Sequence, residues 1–458
     1  MSDTVLPWLQ SPKLSLNSVN YDDIALDYDA IVIGAGIAGS CAAFKLAEAG
    51  FCVAVFEKEA EAAQAGSGNQ QGMLYLKLSP SLTYQNDLLI LGFEQTLQLL
   101  QQLTRQGLLT KGVDWDDCGL IQLSKSEKKR EKQSELAQIY PQELLYSINQ
   151  AEASRIAGAE LTSGGLFFPR SGWVSPQAFV KALLSHSNIH FKALHPVTQI
   201  ESAHLSPESP LWQVMVDQHR YAAKVVILAM ADRVTEFAQC DSIPFTVVRG
   251  QTTTAKGNAG LSVVVSGEGY IAPSKLINGV MQTTFGATFH RHQPAGNPTA
   301  SEHVENIEML RMSSPAIVER LQLDNDHHNF ENSIGFQSLE GRASTRASAM
   351  GSIPIVGPIA NRELFLERFQ VIRLDAKAVP EAEVPWELGL YLTTAHGSRG
   401  MITASIAADI LRQYIVDELV EKDTNIDLRA NSFKSYSQEL LSALHPNRFY
   451  YRELRFNQ

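Results

Sequence analysis

Hydrophobic positions fall into a regular pattern abruptly at residue 29. Upstream, residues 1–28 mix Pro, Ser, Asn and Asp with apolar residues but hold no period, which reads as an extension. From Asp29 a short apolar run reaches Ile33. Residues 37–49 then place Ala and Leu at helical spacing, Gly50 stops the pattern, and a second apolar run fills residues 52–56. Two short runs flanking a helical stretch predict a β-α-β unit.

Farther along, residues 82–106 have the spacing of a long helix. Residues 124–138 predict a charged surface helix, whose Lys/Glu alternation over 125–132 reads as a solvated face. Ser175-Pro176 supplies a capping residue and a first-turn proline for a helix to about residue 185. Extended segments are expected at 190–200, 212–216 and 221–230. Between 243 and 289, Thr, Val, Ile and Phe crowd among Gly250, Gly257, Gly260, Gly267 and Gly279, which predicts an antiparallel sheet. Helices are expected at 301–322, 401–416 and 431–444, and no internal repeat is evident.

At 458 residues and 44% hydrophobic, the chain can bury a large core in two or three domains, which excludes a disulfide-stapled or disordered protein. It has neither a basic, apolar leader nor an apolar run long enough for a membrane helix, so a soluble cytoplasmic protein is expected. Cys41, Cys52, Cys118 and Cys240 are scattered without metal-ligand spacing and are expected as reduced thiols. A net charge of -11 repels polyanions on average, so nucleic-acid binding requires a local basic patch.

Inside the first β-α-β unit stands Gly34-Ala35-Gly36-Ile37-Ala38-Gly39. In this setting Gly34 permits the tight turn, Gly36 admits a pyrophosphate close to the backbone, and Gly39 lets the helix pack on the sheet. The helix start offers amides and positive dipole to phosphate. Glu57, ending the second strand, is placed to accept hydrogen bonds from an adenosine ribose and disfavours a 2′-phosphate. Strand, helix, second strand and acid together point to a dinucleotide, with FAD and NAD unseparated by these residues.

After Glu57 comes Gly66-Ser67-Gly68-Asn69-Gln70-Gln71-Gly72-Met73-Leu74-Tyr75, a small-residue loop able to offer amides and polar side chains to a phosphate or flavin. This stretch resembles the flavin loop of the glycine/D-amino acid oxidase (DAO) superfamily, most closely its bacterial tRNA-modifying branch, the MnmC-type 5-carboxymethylaminomethyl-2-thiouridine oxidoreductases. The likeness continues through Gly164-Gly165-Leu166-Phe167-Phe168-Pro169, Gly172-Trp173-Val174-Ser175-Pro176, Val248-Arg249-Gly250-Gln251, Gly269-Tyr270-Ile271-Ala272-Pro273 and Phe285-Gly286-Ala287-Thr288. It resumes at Gly389-Leu390-Tyr391, His396-Gly397-Ser398-Arg399-Gly400-Met401 and Leu444-His445-Pro446-Asn447-Arg448-Phe449. Two departures stand out: Gly351 occupies a position that is usually acidic, and Leu76 replaces a common proline. The N-terminal methyltransferase domain of many members is absent, so only the oxidative half is expected here.

The resemblance implies an α/β protein with a Rossmann-like FAD-binding domain and a second, antiparallel-sheet α+β substrate domain. Its boundaries are an extension at 1–28; FAD-binding segments 29–105, 160–240 and 335–420; substrate segments 106–159 and 241–334; and a C-terminal helix with a basic, aromatic tail at 421–458. It implies noncovalent FAD held by Gly34, Gly36, Ile37, Ala38, Gly39, Glu57, Lys58, Ser67, Gly68, Asn69, Gln71, Gly72, Val197, Gly397, Ser398, Arg399, Gly400 and Met401. His195, before Pro196, is read as structural rather than a flavin attachment site.

The implied reaction is oxidation of an N-substituted glycine on the tRNA wobble uridine, releasing glyoxylate and leaving an aminomethyl uridine for a separate methyltransferase. An oxidase or dehydrogenase of glycine or sarcosine is the alternative, and a noncatalytic flavoprotein subunit is a third reading. Arg346 matches the substrate-carboxylate position, where a guanidinium fork fixes orientation as well as affinity; Arg342, Arg249 and Arg170 remain open, as does a structural ion pair for Arg346. Tyr270 either covers the substrate or packs, and Arg399 assists charge stabilisation by the amides of 397–401. His290-Arg291-His292 reads as a solvated turn in preference to an RNA contact. Arg448, Arg452 and Arg455, among Phe449, Tyr450, Tyr451 and Phe456, read equally as an RNA patch or a docked terminal segment. No membrane or DNA partner is expected.

Overall fold

The computed structural model describes residues 26–203, 210–323, 338–376, 378, 380–420 and 436–456. The expected extension up to residue 25 and residues 421–435 of the expected C-terminal segment lie outside them. The described chain forms two compact units: one drawn from residues up to Gln64, Val180–Thr246 and Ala347 onward, the other from Ala65–Phe179 and Val247–Arg346. These limits differ from the boundaries read from sequence. The helix Tyr84–Arg105 lies in the second unit, where its Glu94 receives both Arg170 Nη1 and Nη2, its Asn86 meets Tyr140, and its Thr104 accepts from Trp115. Such partners leave no trace in local periodicity.

In the first unit the strand Tyr28–Ile33 lies at the middle of a mainly parallel sheet, between Val53–Phe56 and His219–Leu228. Ile31, Val32, Val53, Ala54 and Val55 are fully buried, as expected of parallel strands covered on both faces. The helix Ile37–Glu48 returns over this sheet and packs against the long helix Gly400–Val420. The extended segment expected at 190–200 is two strands, Ile189–Lys192 and Val197–Ser202, interrupted where Leu194 takes φ +57° ahead of Pro196. Val197 opens the second of these and packs against the sheet's core.

The second unit holds a ten-stranded sheet. Thr246–Lys256 pairs antiparallel with Val280–Gly286, as the Thr/Val-rich pattern predicts. Leu120–Leu123 joins parallel to Val264–Ser266, and Glu340–Ser348 flanks Thr246–Lys256. A small sheet combines Gly72–Leu74, Gly172–Val174 and Trp115–Asp116. The single helix expected at 301–322 breaks at Ser314 into Ala300–Ser313 and Pro315–Arg320. Ser314 precedes a proline, which drives it to extended backbone, and its hydroxyl caps the second helix through Ile317 N–H.

Candidate active site

The glycine loop of the first unit is built by sterics. Gly34 has φ +105°, and a Cβ there would meet the Ala229 carbonyl oxygen at 2.8 Å. A Cβ on Gly39 would overlap the Gly34 carbonyl oxygen and stand 3.1 Å from Ala229 Cβ. Gly36 is the helix N-cap and brings no side chain to the first turn, which contains no acidic residue. Glu57 turns inward: its carboxylate accepts from Ala35 N–H at 2.9 Å and Glu59 N–H at 3.1 Å, tying the loop to the end of the second strand. Lys58 pairs with Glu59 at the surface. His195, read from sequence as structural, has Nδ1 2.7 Å from the Ala193 carbonyl and its ring stacked on Phe56.

The other candidate flavin segment of this unit is the turn Gly397–Arg399, leading directly into the helix Gly400–Val420. Gly397 takes φ +56° with Ser348 Oγ close to where a Cβ would stand. His396 fixes the turn from within, its two ring nitrogens 2.8 Å from Thr403 Oγ1 and 3.1 Å from Thr393 Oγ1, and Arg399 N–H donates to the His396 carbonyl. Ser398, Gly400 and Met401 therefore sit on a held helix start, while the helix behind them packs on the one that opens at Ile37. Gly351 takes φ +71°, the left-handed region that glycine enters at no steric cost.

In the second unit the loop at 66–72 is fastened at three points. Arg342 donates to the Ala65 carbonyl and to Asn69 Oδ1; Tyr270 Oη donates to the Gln71 carbonyl at 3.0 Å; and Gln71 Nε2 donates to the Pro273 carbonyl at 3.0 Å. Gly68 N–H closes a turn onto Ala65, and Gly72 enters the small sheet opposite Val174. Asn69, expected at the cofactor, thus has its carbonyl engaged by Arg342. Burial pushes the Tyr270 phenol up to about 12 against the opposing pull of Arg346, so it remains a neutral donor.

Four arginines were candidates for a substrate carboxylate, and their partners separate them. Arg249 is buried against Glu302, 2.7 Å from Oε2, and also donates to the Gly296 and Asn297 carbonyls. Arg170 is bidentate to Glu94, and Arg342 holds the 66–72 loop. Arg346 alone of the four bonds no side chain among the described residues. Its Nη2 donates to the Thr288 carbonyl at 3.1 Å and its guanidinium lies 5.7 Å from the centre of the Phe289 ring. Partial burial lowers its pKa from the usual arginine range, with the Tyr270 phenol opposing that shift. The guanidinium occupies the space a side chain at Gly250 would fill. Gly250 and Phe289 were not assigned roles from sequence, although Gly250 within Val248-Arg249-Gly250-Gln251 was a signal available to find one.

Residues 29–414 match the family described as DAO, FAD dependent oxidoreductase. The chain belongs to this family. It is 36% identical over 452 residues to the tRNA 5-methylaminomethyl-2-thiouridine biosynthesis bifunctional protein MnmC of Pseudomonas savastanoi pv. phaseolicola (strain 1448A / Race 6), covering 98% of this chain and 62% of that protein. To the protein of the same name from Pseudomonas fluorescens (strain Pf0-1) it is 37% identical over 433 residues, covering 93% and 60%. The chain thus spans less than two thirds of the length of these relatives. Among solved structures, glycine oxidase from Geobacillus kaustophilus shares the fold, with a TM-score of 0.65 at 18% identity over 88% of this chain and 97% of that one.

As an FAD-dependent oxidoreductase of the DAO family, the chain has a first unit whose residues fit the dinucleotide: a loop too tight for any Cβ at Gly34 or Gly39, an uncharged helix start, and a carboxylate holding both strand ends. Among the described residues no group of His, Cys, Asp and Glu could hold a metal, and no helix is long and apolar enough to cross a membrane. The basic, aromatic tail forms the helix Arg448–Phe456. Arg448 donates to the Ile353, Pro354 and Ala443 carbonyls, and Tyr450 and Leu454 are buried against Phe365, Phe369 and Ile372. This is the docked arrangement; Arg452 and Arg455 remain exposed around Phe456.

Proposed function

We propose that this chain oxidises the carboxymethylaminomethyl group of a tRNA wobble uridine, using noncovalently held FAD. The observation that carries the reading is Arg346, a partly buried guanidinium without a carboxylate partner among the described residues, kept in place by Gly250, Thr288 and Phe289. A cation withdrawn from water and left unpaired is suited to a ligand carboxylate, which two parallel hydrogen bonds would orient. The biosynthetic role printed in the names of the two MnmC relatives supports an RNA-borne amine.

In this reading the first unit holds the dinucleotide through residues 34–39 and Glu57, and the amides at 397–401 stabilise negative charge. The second unit binds the glycine carboxylate on Arg346, while Tyr270 keeps the 66–72 loop in position. FAD held by these residues would supply the hydride acceptor for oxidation of the glycine methylene C–N bond to C=N. Water then adds to the resulting C=N bond, and glyoxylate leaves together with the aminomethyl uridine, whose free amine suits a separate methyltransferase.

Anaerobic mixing of the FAD-loaded protein with tRNA bearing carboxymethylaminomethyl uridine, and separately with glycine and sarcosine, tests the proposal. Flavin bleaching by the tRNA with loss of the carboxymethyl mass is expected. Bleaching by the free amino acids alone would give a small-amine enzyme instead, and no bleaching by any of them would leave a noncatalytic flavoprotein.

A further inference from the structure

Phe289 is 56% exposed, although it directly follows the fully buried Thr288. It belongs to none of the unit's core packing and stands beside the proposed carboxylate site: the Thr288 carbonyl accepts from Arg346, and the Phe289 ring lies 5.7 Å from that guanidinium. On the same short edge, Arg291 is exposed and lies 5.9 Å from the ring centre, with no ion pair among the described residues. Two carboxylates beside this edge are already engaged, Glu305 with His290 at 3.0 Å and Glu302 with Arg249 at 2.7 Å. An exposed aromatic within 6 Å of two guanidinium groups is therefore displayed on a chain whose net charge is -11.

We infer that Phe289 and Arg291 form a nucleotide platform beside Arg346, the ring stacking on a base and Arg291 meeting a neighbouring phosphate. The inference rests on the reading that Arg346 takes the carboxylate of an RNA-borne amine, and it names what selects RNA over a free amino acid. The chemistry is that of single-stranded recognition: every base has a face to stack on an aromatic ring, and a guanidinium serves a phosphate or a base plane. Among the described residues the Arg291 side chain contacts the ring and makes no ion pair, so it can turn to a phosphate and uncover the ring face for a base. Strand pairing sets the spacing, since His290 and Arg291 are registered opposite Arg249 and Val248. Arg291 is thereby carried on the sheet edge, with Phe289 in the short link directly before it.

The test is binding of a fluorescent anticodon stem-loop RNA, with an unmodified wobble uridine, to the FAD-loaded full chain, followed by anisotropy. Phe289→Leu is expected to weaken binding about ten-fold, and Phe289→Trp to restore it. Arg291→Gln is expected to weaken binding and to reduce the slope of log affinity against log salt by about 0.7, the share of one single-strand phosphate. Stem-loop affinity and salt slope equal to wild type in both variants would overturn the platform, as would a loss that Trp fails to restore and that accompanies a lowered unfolding temperature. Bleaching by modified tRNA is scored separately. Bleaching with unaltered variant binding defeats the platform and keeps the proposed reaction; RNA binding that depends on Phe289 and Arg291 without bleaching upholds the platform and defeats the reaction.

Discussion

Replacing Gly250 by alanine gives the sharpest test of the Arg346 assignment, because the perturbation acts through geometry and leaves the charge in place. The added Cβ would overlap Arg346 Nη2, stand 3.0 Å from its Cζ and meet the Thr288 carbonyl oxygen at 2.8 Å. Strand Thr246–Lys256 is paired on both sides, so the flexible guanidinium yields before the backbone does. Its bond to Thr288 and its alignment for a carboxylate go together. Losing one charge-assisted hydrogen bond costs about 1.5–3 kcal/mol, roughly a ten- to hundred-fold rise in substrate dissociation constant. Folding loses about 1–3 kcal/mol, the range for overpacking, because the Arg346 tip can yield whereas the Thr288 carbonyl oxygen at 2.8 Å is backbone. Anaerobic flavin reduction against substrate concentration separates binding from the limiting rate in wild type, G250A, R346A and the double variant. With Arg346 removed there is no guanidinium left to displace, so G250A should add little to the loss of substrate binding in that background, while its contact with the Thr288 carbonyl still costs stability. Unchanged binding in G250A, or the same loss with and without Arg346, would refute the assignment.

Gly39→Ala should yield protein largely free of flavin, since its Cβ overlaps the Gly34 carbonyl; the flavin-to-protein absorbance ratio reads this, and full stoichiometry would count against the loop assignment. Glu302→Gln strands the buried Arg249 and should cost about 3 kcal/mol in urea unfolding, with the R249M/E302Q double variant recovering part of it; a double variant no more stable than E302Q would deny that the pair is a compensated buried charge. His445 is fully buried and its pKa is pushed down to about 3, by burial first and by Arg448 second. Its unfolded form binds a proton below about pH 6.5 that the folded form does not, so stability should fall as pH drops from 6.5 towards 3 by up to about 1.4 kcal/mol per pH unit. His445→Gln should flatten that slope by nearly one proton, and equal slopes of unfolding free energy would disprove it.

By itself the sequence determined what is local. The strand-helix-strand beginning at Tyr28, the fingerprint from Gly34 to Gly39 and the acid at Glu57 are written within thirty residues, and their periodicity and spacing suffice. The Thr- and Val-rich sheet was legible for the same reason, whereas the break at Ser314 was hidden by apolar spacing that continues across it. Tertiary structure alone decided which arginine is available. Arg249, Arg170, Arg342 and Arg346 look alike in the chain, and only folding gives the first Glu302, the second Glu94 and the third the Ala65 carbonyl. It also decided that the tail's Tyr450 is core and Phe289 surface, two aromatic residues that local sequence treats equally. Burial and ion pairing depend on which distant segments meet, whereas a turn or a helix start depends on the backbone freedom of a few adjacent residues.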